Sequence, residues 1–185
     1  MIYVIDHNDS FTHNVVHQLS LFDKVECDNF NKINENKIKH ASTVVFSPGP
    51  GNPKNYPTTS KIYRKLKGKK KMIGICLGFQ QILHCEGAKI IEQKKIYHGY
   101  QSNIKVINNK SLFQKGKLFK VGRYHSLKLK EPFKSDNFEI TMRCLTSKVA
   151  MAFENNKDKI YGFQFHPESF LTINGKILIK KILST

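Results

Sequence analysis

The sequence predicts a doubly wound, mostly parallel α/β fold flanked by helices, with additional antiparallel strands in its second half. Three observations point there. Short uninterrupted apolar runs, "IYVI", "STVVFS" and "KMIGI", have the character of strands buried on both faces of a parallel sheet. Up to Gly87 such runs alternate with segments of helical periodicity. Beyond it come six short alternating segments with little helix between them.

Taken in order, "IYVI" ends in the polar turn "DHNDS". In the helix that follows, Phe11, Val15, Leu19 and Phe22 share one face, and Asp9 or Ser10 is placed to cap the first turn. "KVECDNF" and "STVVFS" read as the second and third strands. Residues 47 to 59, "SPGPGNPKNYPTT", are dense in Pro and Gly and read as a loop at a strand end. A short helix around "TSKIYRKLKG", the strand "KMIGI" and the helix "GFQQILHCEG", stopped by Gly87, complete the first half. "AKIIEQ", "SNIKVI", "LFKVGRY", "FEITMRC", "VAMAFE" and "IYGFQF" are the added antiparallel strands, and "NGKILIKKIL" is a closing helix.

The 185 residues suit one domain, 1–185, with a substantial core. No apolar run approaches the roughly 20 residues that span a bilayer, and "MIYVIDHNDS" lacks the features of a signal peptide, so a cytoplasmic chain without membrane association is expected. Cys27, Cys76, Cys85 and Cys144 match no zinc or redox spacing and are expected to be reduced. The formal charge of +17 invites a nucleic-acid reading. Against it, only Arg64, Arg123 and Arg143 supply the arginine fork, and the lysines are dispersed apart from "KLKGKKK", which reads as a solvated helix end and loop. No nucleic-acid partner is expected; the charge would instead complement an acidic face on a protein partner.

"GICLG" places Cys76 between Gly74 and Gly78, where a strand gives way to a helix. Small flanking residues permit a tight strand-to-helix turn, the geometry of a nucleophile elbow. The start of a helix favours negative charge on such a side chain, and the Leu77 N–H could hold an oxyanion. The same motif also reads as a small buried cysteine at a strand end. A nucleophile needs a base and the base needs an orienter. "GFQFHPES" offers both: His166 and Glu168 are two apart, which in extended chain puts them on one face.

"SPGPGNP", "GICLGFQ" and "GFQFHPES", in that order, resemble the class I glutamine amidotransferases. With "DHNDSFTHN" and "RYHSL", the likeness covers essentially the whole chain and is nearest to the glutaminase subunits of anthranilate and aminodeoxychorismate synthases. The resemblance implies a Cys76–His166–Glu168 triad that hydrolyses L-glutamine and delivers ammonia to a chorismate-using synthase subunit, with no cofactor. It implies an oxyanion hole from the Gly51 and Leu77 N–H groups, with Gly49 and Pro50 shaping the loop. Gln80 and the backbone of Ser126 and Leu127 would grip the substrate's α-amino and α-carboxylate groups.

The chain departs from the family pattern at His7, Phe79 and Tyr100, where relatives usually carry tyrosine, histidine and lysine. Because "HGYQS" and the turn near His7 are expected toward the partner, these departures bear on which synthase it serves and tilt the reading toward the folate side. A cysteine hydrolase of other specificity and a non-catalytic basic binding module are the rival readings. His13 and His17 in "HNVVH" lack the glutamate of a metal-binding helix, so no metal is expected.

Overall fold

A computed structural model describes all 185 residues. Its centre is a nine-stranded sheet in the order β2-β1-β3-β4-β11-β10-β9-β6-β7. Strands β1 (Ile2–Asp6), β2 (Val25–Asn29), β3 (Thr43–Phe46), β4 (Lys71–Ile75) and β11 (Ile160–Phe163) run parallel to one another. Strands β6 (Tyr100–Val106), β7 (Leu118–Arg123), β9 (Glu139–Cys144) and β10 (Ala150–Asn155) extend the sheet antiparallel. A separate ribbon pairs β5 (Ile90–Glu92) with β8 (Leu127–Leu129).

Why β1 is central follows from its side chains. All of Ile2, Tyr3, Val4 and Ile5 are buried, as in a strand covered on both faces. Ile2 and Val4 point into a cluster with Val15 and Leu19 of α1 (Thr12–Ser20) and Leu178 and Ile182 of α5 (Gly175–Leu183). Tyr3 and Ile5 point the other way, toward Ile38 of α2 (Glu35–His40), Ile62 of α3 (Pro57–Leu66) and Phe79 and Ile82 of α4 (Leu77–Cys85). Each buried Leu or Ile contributes about 1.5–3 kcal/mol, so these two layers hold the helices on the sheet.

Several expectations need correction. "IYGF" is not one of the antiparallel additions: β11 pairs parallel with β4, Phe163 opposite Ile75. Its apolar run is buried on both faces like the other parallel strands, which only the tertiary pairing reveals. Helix α2, whose first turn is capped by the Asn34 side chain, falls in a polar stretch of weak periodicity that gives no helix signal of its own. Residues 57 to 59 are helical, because Pro57 occupies the first turn of α3, where its missing N–H costs nothing; a 3-10 turn at Pro53–Asn55 precedes it. At α1 the cap position is Phe11, without a side-chain cap; the Asp9 carboxylate accepts from Phe11 N–H at 2.8 Å instead.

The "KLKGKKK" run is only partly solvated. Lys67 pairs with Glu86 at 2.7 Å, and Lys70 donates to the carbonyls of Lys39 and Ala41. No helix is long and apolar enough to cross a membrane.

Candidate active site

The loops leaving β1, β3, β4 and β11 gather at one end of the parallel strands, the place where doubly wound sheets bind ligands. Between β4 and α4 stands Cys76, with φ 51° and ψ −99°, a strained conformation for a side-chain-bearing residue. The turn is possible because its neighbours lack side chains: a Cβ on Gly78 would lie 2.1 Å from Phe46 O, and one on Gly74 would lie 2.5 Å from the Gly78 backbone. The elbow is fastened by a bond from Cys76 N–H to Phe163 O at 2.8 Å.

That bond ties the elbow to the segment carrying His166 and Glu168. His166 N–H donates to Gly122 O at 3.1 Å, and His166 O accepts from Thr172 Oγ1 at 2.6 Å. The chain turns at Pro167, whose carbonyl is held by Gln18 Nε2 at 2.9 Å. Glu168 thus reaches the imidazole through a turn, not through the extended spacing expected from sequence: Glu168 Oε1 sits 2.7 Å from His166 Nδ1. Both side chains are shut off from solvent, at 3% and 0% exposure. Burial opposes charge on the imidazole, but the Glu168 carboxylate and then the Cys76 sulfur outweigh it and raise the His166 pKa well above its ordinary value. Nε2 makes no well-formed hydrogen bond at rest and faces the sulfur side. The rings of Phe11 and Tyr124 meet it edge-on at 5.0 and 4.9 Å.

A cleft of about 340 Å³ opens at Cys76. It is lined by the loop Gly49, Pro50 and Gly51, by Leu77 and Gln80 of α4, and by Ser126 and Leu127. The cleft residues singled out from the sequence therefore meet here, with His166 at the sulfur and Glu168 on the far side of its imidazole. The N–H groups of Gly51 and Leu77 have no partner within the protein. Gly51 holds φ at +77°, the left-handed region that suits glycine.

The Ser126–Leu127 wall is held from behind. Ser126 O accepts from Gln93 N–H at 2.9 Å, and His125 Nδ1 lies 2.8 Å from Leu127 O. Buried Arg123 donates from Nε to His125 Nε2 at 3.1 Å, so the imidazole carries its proton on Nδ1 and gives it to Leu127. Burial and the Arg123 charge push the His125 pKa down to about 3, keeping it neutral.

Asp9, His98, Tyr124 and His125 also border the cleft, and Gln164 contacts the cysteine; sequence reasoning read "YHSL", with Tyr124 and His125, as part of the substrate wall but gave no site role to Asp9, His98 or Gln164. Tyr124 and Gln164 lie inside the quoted motifs "RYHSL" and "GFQFHPES", the one signal available for them. Of the three departures, Tyr100 is exposed, whereas Phe79 is buried against Phe153. His7 itself is buried, whereas Asn8 and Ser10 in the turn beside it are exposed. The histidine is 0% exposed, under the 47–51 loop, with its N–H on Ser47 Oγ at 2.9 Å and its ring between Ser47 O and Thr59 Oγ1. Burial lowers its pKa to about 4.

The sequence model of the class-I glutamine amidotransferase family matches residues 3–184. The chain belongs to this family. Among curated class I amidotransferase relatives, the anthranilate synthase component 2 of Lactococcus lactis is 35% identical over 186 residues, covering 100% of this chain and 94% of that protein. That of Helicobacter pylori is also 35% identical, covering 97% and 94%. The bifunctional protein TrpGD of Thermotoga maritima is 36% identical over 99% of this chain, which corresponds to 32% of its own length. Two solved structures share the fold: a Thermoplasma acidophilum protein assigned to GMP synthase and a glutamine amidotransferase of Thermotoga maritima. The first has a TM-score of 0.84 at 22% identity, covering 99% of this chain and 92% of that one. The second has 0.77 at 15%, covering 99% and 96%.

Proposed function

We propose that this class I amidotransferase is the glutaminase subunit of anthranilate synthase, releasing ammonia from L-glutamine through Cys76, His166 and Glu168 for a separate chorismate-using subunit. The observation that carries the chemistry is the convergence of a strained cysteine at a helix start with a buried His–Glu pair, beside two unpaired backbone N–H groups.

In this reading His166, kept as imidazolium by its raised pKa, already holds the sulfur's proton on Nε2, and Cys76 Sγ attacks the side-chain amide carbon of glutamine as the thiolate. Glu168 keeps the Nδ1 proton in place and stabilises the imidazolium. The Gly51 and Leu77 N–H groups receive the oxyanion. His166 then protonates the departing nitrogen, ammonia leaves, and water activated by the same imidazole splits the thioester to glutamate. Gln80 Oε1, which accepts no bond within the protein, is available to the substrate's α-ammonium group.

The names of the full-length relatives favour the tryptophan-side synthase over the folate-side partner toward which the departures tilted. The +17 charge suits an acidic partner surface, and the unpaired state of all four cysteines suits the reducing cytoplasm.

The test is reconstitution. Mixed with an anthranilate synthase component I, chorismate and glutamine, the protein is expected to support anthranilate formation. Aminodeoxychorismate formed only with the folate-side subunit would move the assignment to that pathway. Failure of a glutamine-mimicking electrophile to modify Cys76, with peptides cleaved instead, would overturn the glutaminase reading.

A further inference from the structure

Gln164 lies two residues before His166, and the mechanism above gives it no work. It is 0% exposed, and its own N–H is tied to Met151 O at 2.9 Å, so the side chain is confined to the interior. Nε2 sits 3.8 Å from Cys76 Sγ, and Oε1 lies 3.1 Å from Gln80 Nε2.

A primary amide has a donor end and an acceptor end, and the end facing the sulfur decides whether the contact supports or opposes negative charge there. Its surroundings settle the orientation. Leu127 O is a backbone carbonyl, able only to accept, and it lies 3.4 Å from the terminal nitrogen of Gln80. Turning Gln80 over would set its oxygen against both Leu127 O and Gln164 Oε1. Gln80 therefore offers its NH2 group, Gln164 meets it with oxygen, and the N–H end of Gln164 is left for Cys76. One fixed carbonyl in the substrate wall is in this way relayed through two amides to the sulfur.

We propose that Gln164 is a further catalytic residue: a buried amide donor that holds the Cys76 sulfur and stabilises negative charge on it. The proposal rests on the reading of Cys76 as the nucleophile. Hydrogen bonds to ionised acceptors are about twice as strong as neutral ones, so this contact strengthens as the sulfur gives up its proton. It weakens again once the sulfur has become a thioester. Its loss falls on the acylation rate, not on glutamine binding.

The test measures alkylation of Cys76 by iodoacetamide at pH 7, located by mass, beside glutaminase kinetics with the synthase subunit present. Gln164→Met keeps the volume and removes the donor. Gln164→Glu keeps an oxygen for Gln80 and replaces the donor with an acceptor, and it carries the same test if the methionine variant does not fold. Both are expected to slow alkylation about five- to ten-fold and to lower kcat more than they change KM. A residue that only fills space would leave the alkylation rate of a folded variant at the wild-type value, and that result overturns the proposal. If Cys76→Ser retained glutaminase activity, the underlying assignment of the nucleophile would fail instead, whatever the Gln164 variants did.

Discussion

Cys76 N–H donates to Phe163 O at 2.8 Å, and through that bond two residues 87 positions apart hold the two halves of the candidate site in register. Phe163 ends β11 opposite Ile75 of β4, so the chain leaving β11 must pass the elbow. Gln164 and His166 reach the sulfur because of this parallel pairing. Four predictions test the arrangement.

Cys76 stands where glycine would sit with less strain, at φ 51°. Replacing it should abolish glutamine-dependent synthesis while ammonia-dependent synthesis by the partner survives. Among inactive variants, Cys76→Gly should be more stable than Cys76→Ala by about 1 kcal/mol, the reverse of their usual order at a helix start. Urea unfolding of the two variants measures it, and the ordinary order would show that the turn is not strained.

Gly78 and Gly51 should respond differently to a methyl group. At Gly78 the added carbon would meet Phe46 O at 2.1 Å, forcing α4 away from β3, and Gly78→Ala is expected to cost about 3 kcal/mol or more with loss of activity. At Gly51 the nearest atom is 3.5 Å away, so Gly51→Ala bears only the strain of φ +77°, about 1 kcal/mol. Thermal melts and glutaminase assays on both variants compare a steric clash with a conformational cost.

Glu168→Gln should lower kcat on the order of 10²-fold or more, by weakening the hold on the imidazole and on the charge it acquires. Its effect on stability has a defined sign. His166 has a raised pKa in the folded protein, so the stabilising pair is fully present below the unfolded value near 6.5 and is lost as pH rises through the folded value. The stability gap between wild type and variant should thus be larger at pH 6 than at pH 9. A gap that grew toward alkaline pH would contradict the raised His166 pKa.

His7 and His125 act in the opposite sense. Their folded values, about 4 and about 3, lie below 6.5, so each contributes stability above that pH which is lost as acid protonates the unfolded chain. For His7 the shift corresponds to roughly 3 kcal/mol at full development. The urea midpoint should fall between pH 6.5 and 4, and His7→Asn should flatten that slope. An unchanged slope would show that His7 is not held neutral by the fold.

Much of this was legible in the chain because strong local rules apply to it. β1 and β4 are runs too apolar to face water, α1 and α5 carry their buried residues at helical spacing, and "GICLG" needs its two glycines to turn from strand to helix. Short-range signals are weaker where the pattern is polar. Helix α2 rests on a cap at Asn34 and a single fully buried side chain, Ile38, and Pro57 has the look of a loop residue although it begins a helix.

The sequence alone singled out candidates for the chemistry: a cysteine at an elbow and a His–Glu pair in "HPES" from local pattern, and, through the family resemblance, a glycine loop and a wall at "YHSL". Tertiary structure decided how they meet. Whether "IYGF" ran parallel to β4 or antiparallel elsewhere depended on hydrogen bonds to a strand some 90 residues away, which no local periodicity encodes. It also decided that His7 lies buried under the 47–51 loop, because a histidine is hidden or exposed according to what packs over it. The orientation of the Gln164 amide is the furthest case: it depends on a carbonyl at Leu127, a distant residue that becomes a neighbour only when the sheet and the β5–β8 ribbon close around the cleft.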